Sequence, residues 1–307
     1  MTLRYFVTRI LQGLVVVLGA VLISFLLTNV IGKPSDVIGG PFLTADQRAA
    51  LNVQLGYDRP LFYRFMHYIS RIFVGDFGVS YRTNQGAISS VLTALPNTLI
   101  LVLVAIVVAV FVGLALAMLG ARRPDMLGDR VVRRTIGVLQ GVPDFWLGLM
   151  LILLFSVKLG KLPSFGFYGP SSIVLPAATL ALPVIPIMYR LFRGQLLEVL
   201  SSEFVEAMHS RAISTNRIMF RHALRGILGP ASNYIALQLG YLISGSIIVE
   251  TIFSWPGIGN LVVSAVLARD FVVVQAIIIV VALFYVLLNL IADVIMFAND
   301  PRVRAGG

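Results

Sequence analysis

The sequence predicts an all-α integral membrane protein with six transmembrane helices and cytoplasmic N- and C-termini. Three observations carry this expectation. Hydrophobic residues make up 58% of the 307 residues and charged ones only 12%, with a mean hydropathy of +0.92. A soluble domain of this size could not hide that much apolar surface. Six apolar runs, at about 10–31, 99–120, 136–157, 173–190, 230–251 and 271–297, are long enough to cross a hydrocarbon core of about 30 Å. The basic residues are also distributed by side. Of the 24 lysines and arginines, 15 lie at the N-terminus, after the second and fourth runs, or after the sixth. The short connections on the other side hold only Lys158, Lys161 and Arg269. The excess marks the cytoplasmic face.

The first run follows Arg4 and Arg9 and extends to Ile31. It exceeds the ~7–15 residues of a signal-peptide core and no Ala-x-Ala site follows, so it is expected to remain as the first span. Residues 32–98 form the one long outer segment. There Thr44-x-x-Gln47 has the form of a capping box, and Gly56 stands where the helix it opens would stop. Pro60 opens a second stretch in which Leu61, Phe65, Ile69 and Ile72 or Phe73 recur at helical spacing. This amphipathic helix is expected to pack on the spans rather than lie on the membrane, because it lacks a strongly basic face. The fourth run carries Pro176, Pro183 and Pro186 and is expected to kink. The chain thus divides into residues 1–98, a span plus an extracytoplasmic helical segment, and residues 99–307, a five-span core with a cytoplasmic loop at 196–228.

Several functions are excluded by what the sequence lacks. With no cysteine, it has no thiol catalysis, disulfide or cysteine-ligated metal. Its three histidines, His67, His209 and His222, fall on opposite sides of the membrane and cannot share one metal. No GxxxxGK loop is present: Lys33 and Lys161 follow glycines, but Leu27 and Phe155 stand where the first glycine is needed. The net charge of +10 is explained by topology, not by nucleic acid.

The loop at 201–226 is the most informative stretch. Ser202 can cap a short helix with Glu203 in its first turn; Phe204, Val205, Met208 and Ala212 form an apolar stripe; Ser214-Thr215-Asn216 can end that helix and cap another. Compact helix connections run ~2–8 residues, and this one is several times longer. An amphipathic helix there implies a groove on a partner to receive it.

At this point the chain resembles the permease subunits of bacterial ABC importers. Their signature loop reads Glu-Ala-Ala, three residues, then Gly; here it is Glu206-Ala207-Met208, then His209-Ser210-Arg211, then Ala212. The resemblance to the dipeptide, oligopeptide and nickel permeases runs nearly end to end. It is carried by Leu55-Gly56-Tyr57-Asp58-Arg59-Pro60, Gly75-Asp76-Phe77-Gly78, Leu95-Pro96-Asn97-Thr98 and Pro143-Asp144-Phe145-Trp146-Leu147-Gly148. Phe220-Arg221-His222-Ala223-Leu224, Val249-Glu250-Thr251-Ile252-Phe253-Ser254-Trp255-Pro256-Gly257, Ala268-Arg269-Asp270 and Asp300-Pro301-Arg302 complete it. The long segment before the second span is similar to that of the first of two permeases in such operons, the dipeptide-permease B type.

The resemblance implies a non-catalytic translocation subunit of an ATP-driven importer for dipeptides or short oligopeptides, in a bacterial cytoplasmic membrane. It implies a second homologous permease, two ATP-binding subunits that hold ATP and Mg, and an extracytoplasmic substrate-binding protein. No cofactor or metal is expected on this chain. Coupling to the ATPases is assigned to Glu203, Phe204, Glu206, Ala207, Met208, Arg211 and Ala212, with alanine at position 212 expected to let the helix run straight. Asp144, Trp146, Glu250 and Asp293 are pathway candidates, since an acid near the bilayer core is functional by default. For Glu250 the competing expectation is a solvated position at the outer end of the fifth span. Trp255, Pro256 and Gly257 are candidates for contact with the binding protein. Alternatives are import of nickel or another small solute, and a gradient-driven secondary transporter; the latter would want paired intramembrane charges and repeated halves.

Overall fold

The computed structural model describes residues 3–31, 44–54, 56, 58–80, 82–122, 124 and 126–299. The Asp300-Pro301-Arg302 motif and Leu55 and Tyr57 lie outside them. Among the described residues the chain is helical and forms no strand beyond a single Val79–Gly86 bridge. The helices are α1 (Leu3–Ile31), α2 (Ala45–Gln54), α3 (Leu61–Phe73), α4 (Ala87–Arg122), α5 (Leu127–Leu139), α6 (Asp144–Leu151) and α7 (Val174–Leu200). They continue with α8 (Glu203–Ser210), α9 (Thr215–Ile218), α10 (Leu224–Ile252), α11 (Ile258–Leu267) and α12 (Phe271–Asn299). Five of the described segments are long and apolar enough to cross a membrane.

A sixth span exists only if a broken pair counts as one. α5 and the helix from Asp144 to Lys158 meet at a 103° bend. The apolar run expected over 136–157 is thus split between two helices. Gly141 and Pro143 interrupt it: Pro143 has no N–H to continue the ladder, and its ψ of 140° is extended. The helix restarts at Asp144, which stands in its first turn, where a carboxylate suits the positive helix end. α7 runs unbroken from Val174 to Leu200 with Pro183 and Pro186 inside it.

The chain separates into two compact units. One comprises Asn97–Asn260 and the end of α12 from Leu288. Its core is centred on α7, whose Leu175, Leu180, Ala181, Val184, Met188, Tyr189, Phe192 and Leu196 are all buried, packed with Leu101, Ala105, Ala109 and Ala117 of α4 and Leu242 and Val249 of α10. Alanines at four-residue spacing on α4 let backbones approach closely, the packing that membrane helices use where no hydrophobic drive exists between them.

The other unit comprises residues up to Pro96 together with Leu261–Leu287. Here the capping box forms as expected: Thr44 N–H donates to Gln47 Oε1 at 3.0 Å and Gln47 N–H to Thr44 Oγ1 at 3.3 Å. Gly56 adopts φ +73°. α3 packs on α1, with Phe65 and Tyr68 against Phe25 at ring-centroid distances of 5.1 and 5.6 Å. Gln275 of α12 donates to Thr28 Oγ1 at 2.7 Å. At the start of α12 the buried carboxylate of Asp270 accepts from Ser80 Oγ and from the N–H of Val273.

Candidate functional site

α7 leads into α8 with only Ser201 and Ser202 between them. The loop expected at 201–226 is thus mostly helix: α9 begins at Thr215 and passes through one π-helical stretch, Met219–Ala223, into α10. Ser202 occupies the N-cap position with extended ψ 148°, yet its hydroxyl donates backward to Val199 O at 2.7 Å rather than capping α8. Glu203 and Glu206 stand in the first turn and His209 in the last, both favourable to the helix dipole.

The end of α8 corrects the expectation of a straight helix through Ala212. Ala212 has φ +58°, and the helix stops at Ser210. Ala212 N–H donates to His209 O at 2.9 Å and Ile213 N–H to Met208 O at 3.2 Å. This is a Schellman motif with Ala212 at C′. The apolar contact that accompanies the motif is present, because Ile213 packs with Met208, Val205 and Ile218. Position 212 is the place where the family pattern has glycine, and the left-handed backbone explains why.

The anchoring also divides the predicted coupling residues. Val205 and Met208 are buried and hold α8 to the protein. Met208 is therefore part of the anchor. Glu203, Phe204, Glu206, Ala207, Arg211 and Ala212 are exposed, and Phe204, 60% exposed, packs edge-on with His222. An unburied phenylalanine flanked by two glutamates is a surface suited to a partner's groove.

Behind this element lies a charge network that the sequence did not reveal. Asp129 of α5 is buried, and its carboxylate accepts from Tyr189 OH at 3.0 Å, Arg193 Nε at 2.9 Å and Arg193 Nη2 at 2.6 Å. Arg133 adds a third partner at 3.5 Å. Gly120 of α4 lies against the cluster: a Cβ there would come within 2.7 Å of Asp129 Oδ1 and 3.3 Å of Tyr189 OH. α5 and α7 are thereby tied through one carboxylate, and α4 passes close to it at Gly120. A cleft of about 690 Å³, bordered by Gly120, Asp129, Thr215 and Asn216, joins this network to the start of α9.

A second buried acid organises the opposite end of the same unit. Glu250 is fully buried and accepts from Thr98 Oγ1 at 2.7 Å, Gly259 N–H at 2.6 Å and Asn260 N–H at 3.2 Å. Its carboxylate caps the first turn of α11. Gly257 must be glycine here, since a Cβ would fall 2.5 Å from both Glu250 Oε2 and Thr98 Oγ1. Trp255, 1% exposed, donates its indole N–H to Asn97 O at 3.1 Å, and Asn97 Nδ2 donates to Pro256 O at 2.8 Å. The two motifs around Asn97 and Trp255, distant in sequence, form one structure.

These contacts correct the expectation of a solvated Glu250: the side chain is buried and its acceptors are satisfied by the protein. Of Trp255, Pro256 and Gly257, only Pro256 reaches the surface. Asp144 and Asp293 are partly exposed and Trp146 is 47% exposed, so these three keep access to what surrounds them. Among the described residues no three acidic or histidine side chains are grouped to hold a metal ion.

Residues 2–102 match the N-terminal domain of the binding-protein-dependent transport system membrane component, and residues 109–305 match the model of the binding-protein-dependent transport system inner membrane component. The chain belongs to this family. It is a permease of an ABC importer, a non-catalytic subunit of the bacterial inner membrane. Among its relatives is the glutathione transport system permease protein GsiC of Escherichia coli K12, 35% identical over 98% of this chain and 99% of that one. The GsiC protein of Salmonella typhimurium LT2 is 34% identical with the same coverage. Solved structures share the fold. A chain of the inward-facing MetNI methionine ABC transporter aligns with a TM-score of 0.59 at 18% identity, covering 69% of the permease and 96% of that chain. A chain from an amino acid ABC transporter with histidines aligns at 0.52 and 18% identity, covering 68% and 94%.

Proposed function

We propose that this permease imports short peptides, dipeptides to small oligopeptides, with tripeptides of the glutathione type among them. The observation that carries the reading is end-to-end similarity, at 35% identity, to a glutathione permease. The chain pairs with a second, homologous permease, and the two enclose the pathway. Two ATPase subunits bind ATP and Mg on the cytoplasmic side, and an extracytoplasmic binding protein delivers the peptide. Both termini face the cytoplasm, as the arginine distribution favours. The N-terminal part, residues 1–98, supplies a peripheral span and the extracytoplasmic helices; residues 99–307 supply the translocation core.

Coupling runs through α8. Its exposed face, Glu203, Phe204, Glu206, Ala207, Arg211 and Ala212, enters a groove on one ATPase. When the ATPases close, α8 moves with them, and the rigid connection through Ser201 and Ser202 passes the movement to α7. The Asp129–Arg193 network then carries it to α5 and α4. The switch is between two packed states, each favoured by a different ligand set. Asp144, Trp146 and Asp293 are the residues proposed to face the pathway; an acid there attracts a peptide amino group.

The test is uptake by the complex isolated through this chain and reconstituted in vesicles. ATP-dependent, binding-protein-dependent accumulation of a labelled short peptide supports the reading. Accumulation of nickel or another non-peptide solute instead, with no peptide uptake, would replace it.

A further inference from the structure

The unit containing α1 and α3 holds a cavity of about 740 Å³ that the transport reading does not use. One wall is a face of α3 on which Arg64, His67, Tyr68 and Arg71 follow one another at helical spacing, with Arg59 just before the helix. Among its lining residues three guanidiniums stand against a single carboxylate, Asp76. Arg71 and Arg59 have well-defined partners within the unit. Arg71 is fixed by Asp76 Oδ2 through Nε at 2.9 Å and Nη2 at 2.8 Å. Arg59 lies 4.7 Å over the Tyr63 ring and donates to its hydroxyl. Pre-oriented guanidiniums lose little freedom when they bind a planar or tetrahedral oxyanion. Burial pushes the Tyr68 phenol up to about 12, so it remains a neutral hydroxyl beside them.

The rest of the lining is mixed, with Gln54, Ser80, Asn84 and Gln275 beside apolar residues that come from two span ends. Its floor is formed by Phe25 and Thr28, at the end of the Val7–Thr28 span, and by Phe271 and Val272, at the start of the Phe271–Ile291 span. α3 also carries a second face of opposite character. Phe62, Met66 and Phe73 are 74, 42 and 81% exposed, and Val74 beyond them is 80% exposed. α1 is apolar and little covered, with 17% of its most apolar window buried. A helix with a bare aromatic face, held at the end of a lipid-exposed span and turning arginines towards a cavity, has the form of an interfacial helix. The expectation that α3 lacks a basic face is thereby revised: it packs on α1 and also presents one.

We infer that this cavity binds the phosphate headgroup of an anionic phospholipid, with its acyl chains along the exposed side of α1 and Phe62 and Phe73 seated in the same leaflet. In the proposed topology this is the outer leaflet. The inference is independent of which solute the importer carries.

The experiment uses the importer complex isolated through this chain and reconstituted in nanodiscs of phosphatidylcholine and phosphatidylglycerol. After mild delipidation, the lipids that stay bound are quantified by mass spectrometry. The wild type is expected to retain phosphatidylglycerol over phosphatidylcholine. The double variant Arg59→Gln/Arg64→Gln loses that retention roughly 25-fold, since each arginine at a membrane surface contributes roughly fivefold. The double variant Arg59→Lys/Arg64→Lys keeps most of it, which separates charge from misfolding. Phe62→Ser/Phe73→Ser lowers retention of both lipids together. Equal retention of both lipids by the wild type, or unchanged phosphatidylglycerol in the glutamine variant, overturns the proposal. Displacement of the lipid by inorganic phosphate at constant ionic strength does so too, because the site would then take free anions. If the glutamine variant keeps its lipid but loses binding-protein stimulation of ATP hydrolysis, the basic wall serves the binding protein instead.

Discussion

Asp129 and Glu250 are both buried carboxylates in the same unit, and each ties together helices distant in sequence, yet they are satisfied by opposite means. Asp129 is met by charge: Arg193 in two hydrogen bonds, Arg133 at 3.5 Å, and the Tyr189 hydroxyl. Glu250 is met by neutral donors, among them the Thr98 hydroxyl and two backbone N–H groups at the start of α11. The difference says what each is for. A charge-paired joint beside α8 resists being pulled apart, because separating it leaves ions with poor solvation. A carboxylate capping a helix end shapes a loop and holds it still.

The comparison predicts different costs of removal. Asp129→Ala leaves the part-buried Arg193 without its anion, which costs up to about 3–5 kcal/mol. The expected outcome is a permease that assembles poorly and shows no transport, with a matching fall in thermal unfolding temperature. Asp129→Glu should recover part of both. If Asp129→Ala unfolds like the wild type, the network does not hold α5 and α7 together. Glu250→Ala strands the Thr98 hydroxyl and two N–H groups in a neutral setting, so its cost is smaller, about 2–3 kcal/mol. Glu250→Gln keeps an acceptor oxygen and should cost less than half of that, whereas the charge-removing Asp129→Asn should not be so well tolerated. Equal penalties for the two amide variants would erase the distinction drawn here.

Two further changes probe the surface that Asp129 supports. Ala212→Gly relieves a left-handed backbone and should stabilise the permease by about 1 kcal/mol, raising its unfolding temperature with transport intact. A lower unfolding temperature would mean that position 212 is not left-handed. The smallest effect belongs to Asp76. The Arg71 guanidinium holds its carboxyl below the ordinary carboxylate range, with the Gly78 N–H helping. Its contribution to stability is therefore present above about pH 4 and is lost as pH falls through the lowered value. The pair is exposed, so solvent screens most of it. Asp76→Asn should lower the unfolding temperature slightly at neutral pH and flatten its acid-side fall, leaving the most acidic points unchanged; an unchanged profile at every pH would show that the pair is inert.

How far the sequence reached can be read from the same residues. Apolar runs gave the long helices, and local chemistry gave the capping box at Thr44 and the stop at Gly56, because those signals sit within a few residues. The placement of α8 was legible for the same reason. The break between α5 and α6 was not read, since apolar residues on both sides of Gly141 and Pro143 hide an interruption. Asp129 was invisible for another reason. It stands among Arg122, Arg130, Arg133 and Arg134, where charge reads as topology, and its main partner is 64 residues away. Glu250 and Thr98 are 152 residues apart, and nothing local announces their bond. The left-handed turn at Ala212 was misread because alanine favours a helix by propensity, whereas packing of Ile213 on Met208 decides the backbone.

The most direct test of the central claim is to isolate the complex from its native membrane through this chain, with and without the substitutions Phe204→Ala and Glu206→Ala on the exposed face of α8. The account predicts that the wild type brings down two ATPase subunits and a second permease and accumulates peptide with ATP in vesicles. The variant should keep the second permease and its unfolding temperature but lose the ATPases and ATP-driven uptake. Full retention of ATPases and uptake by the variant would contradict the account.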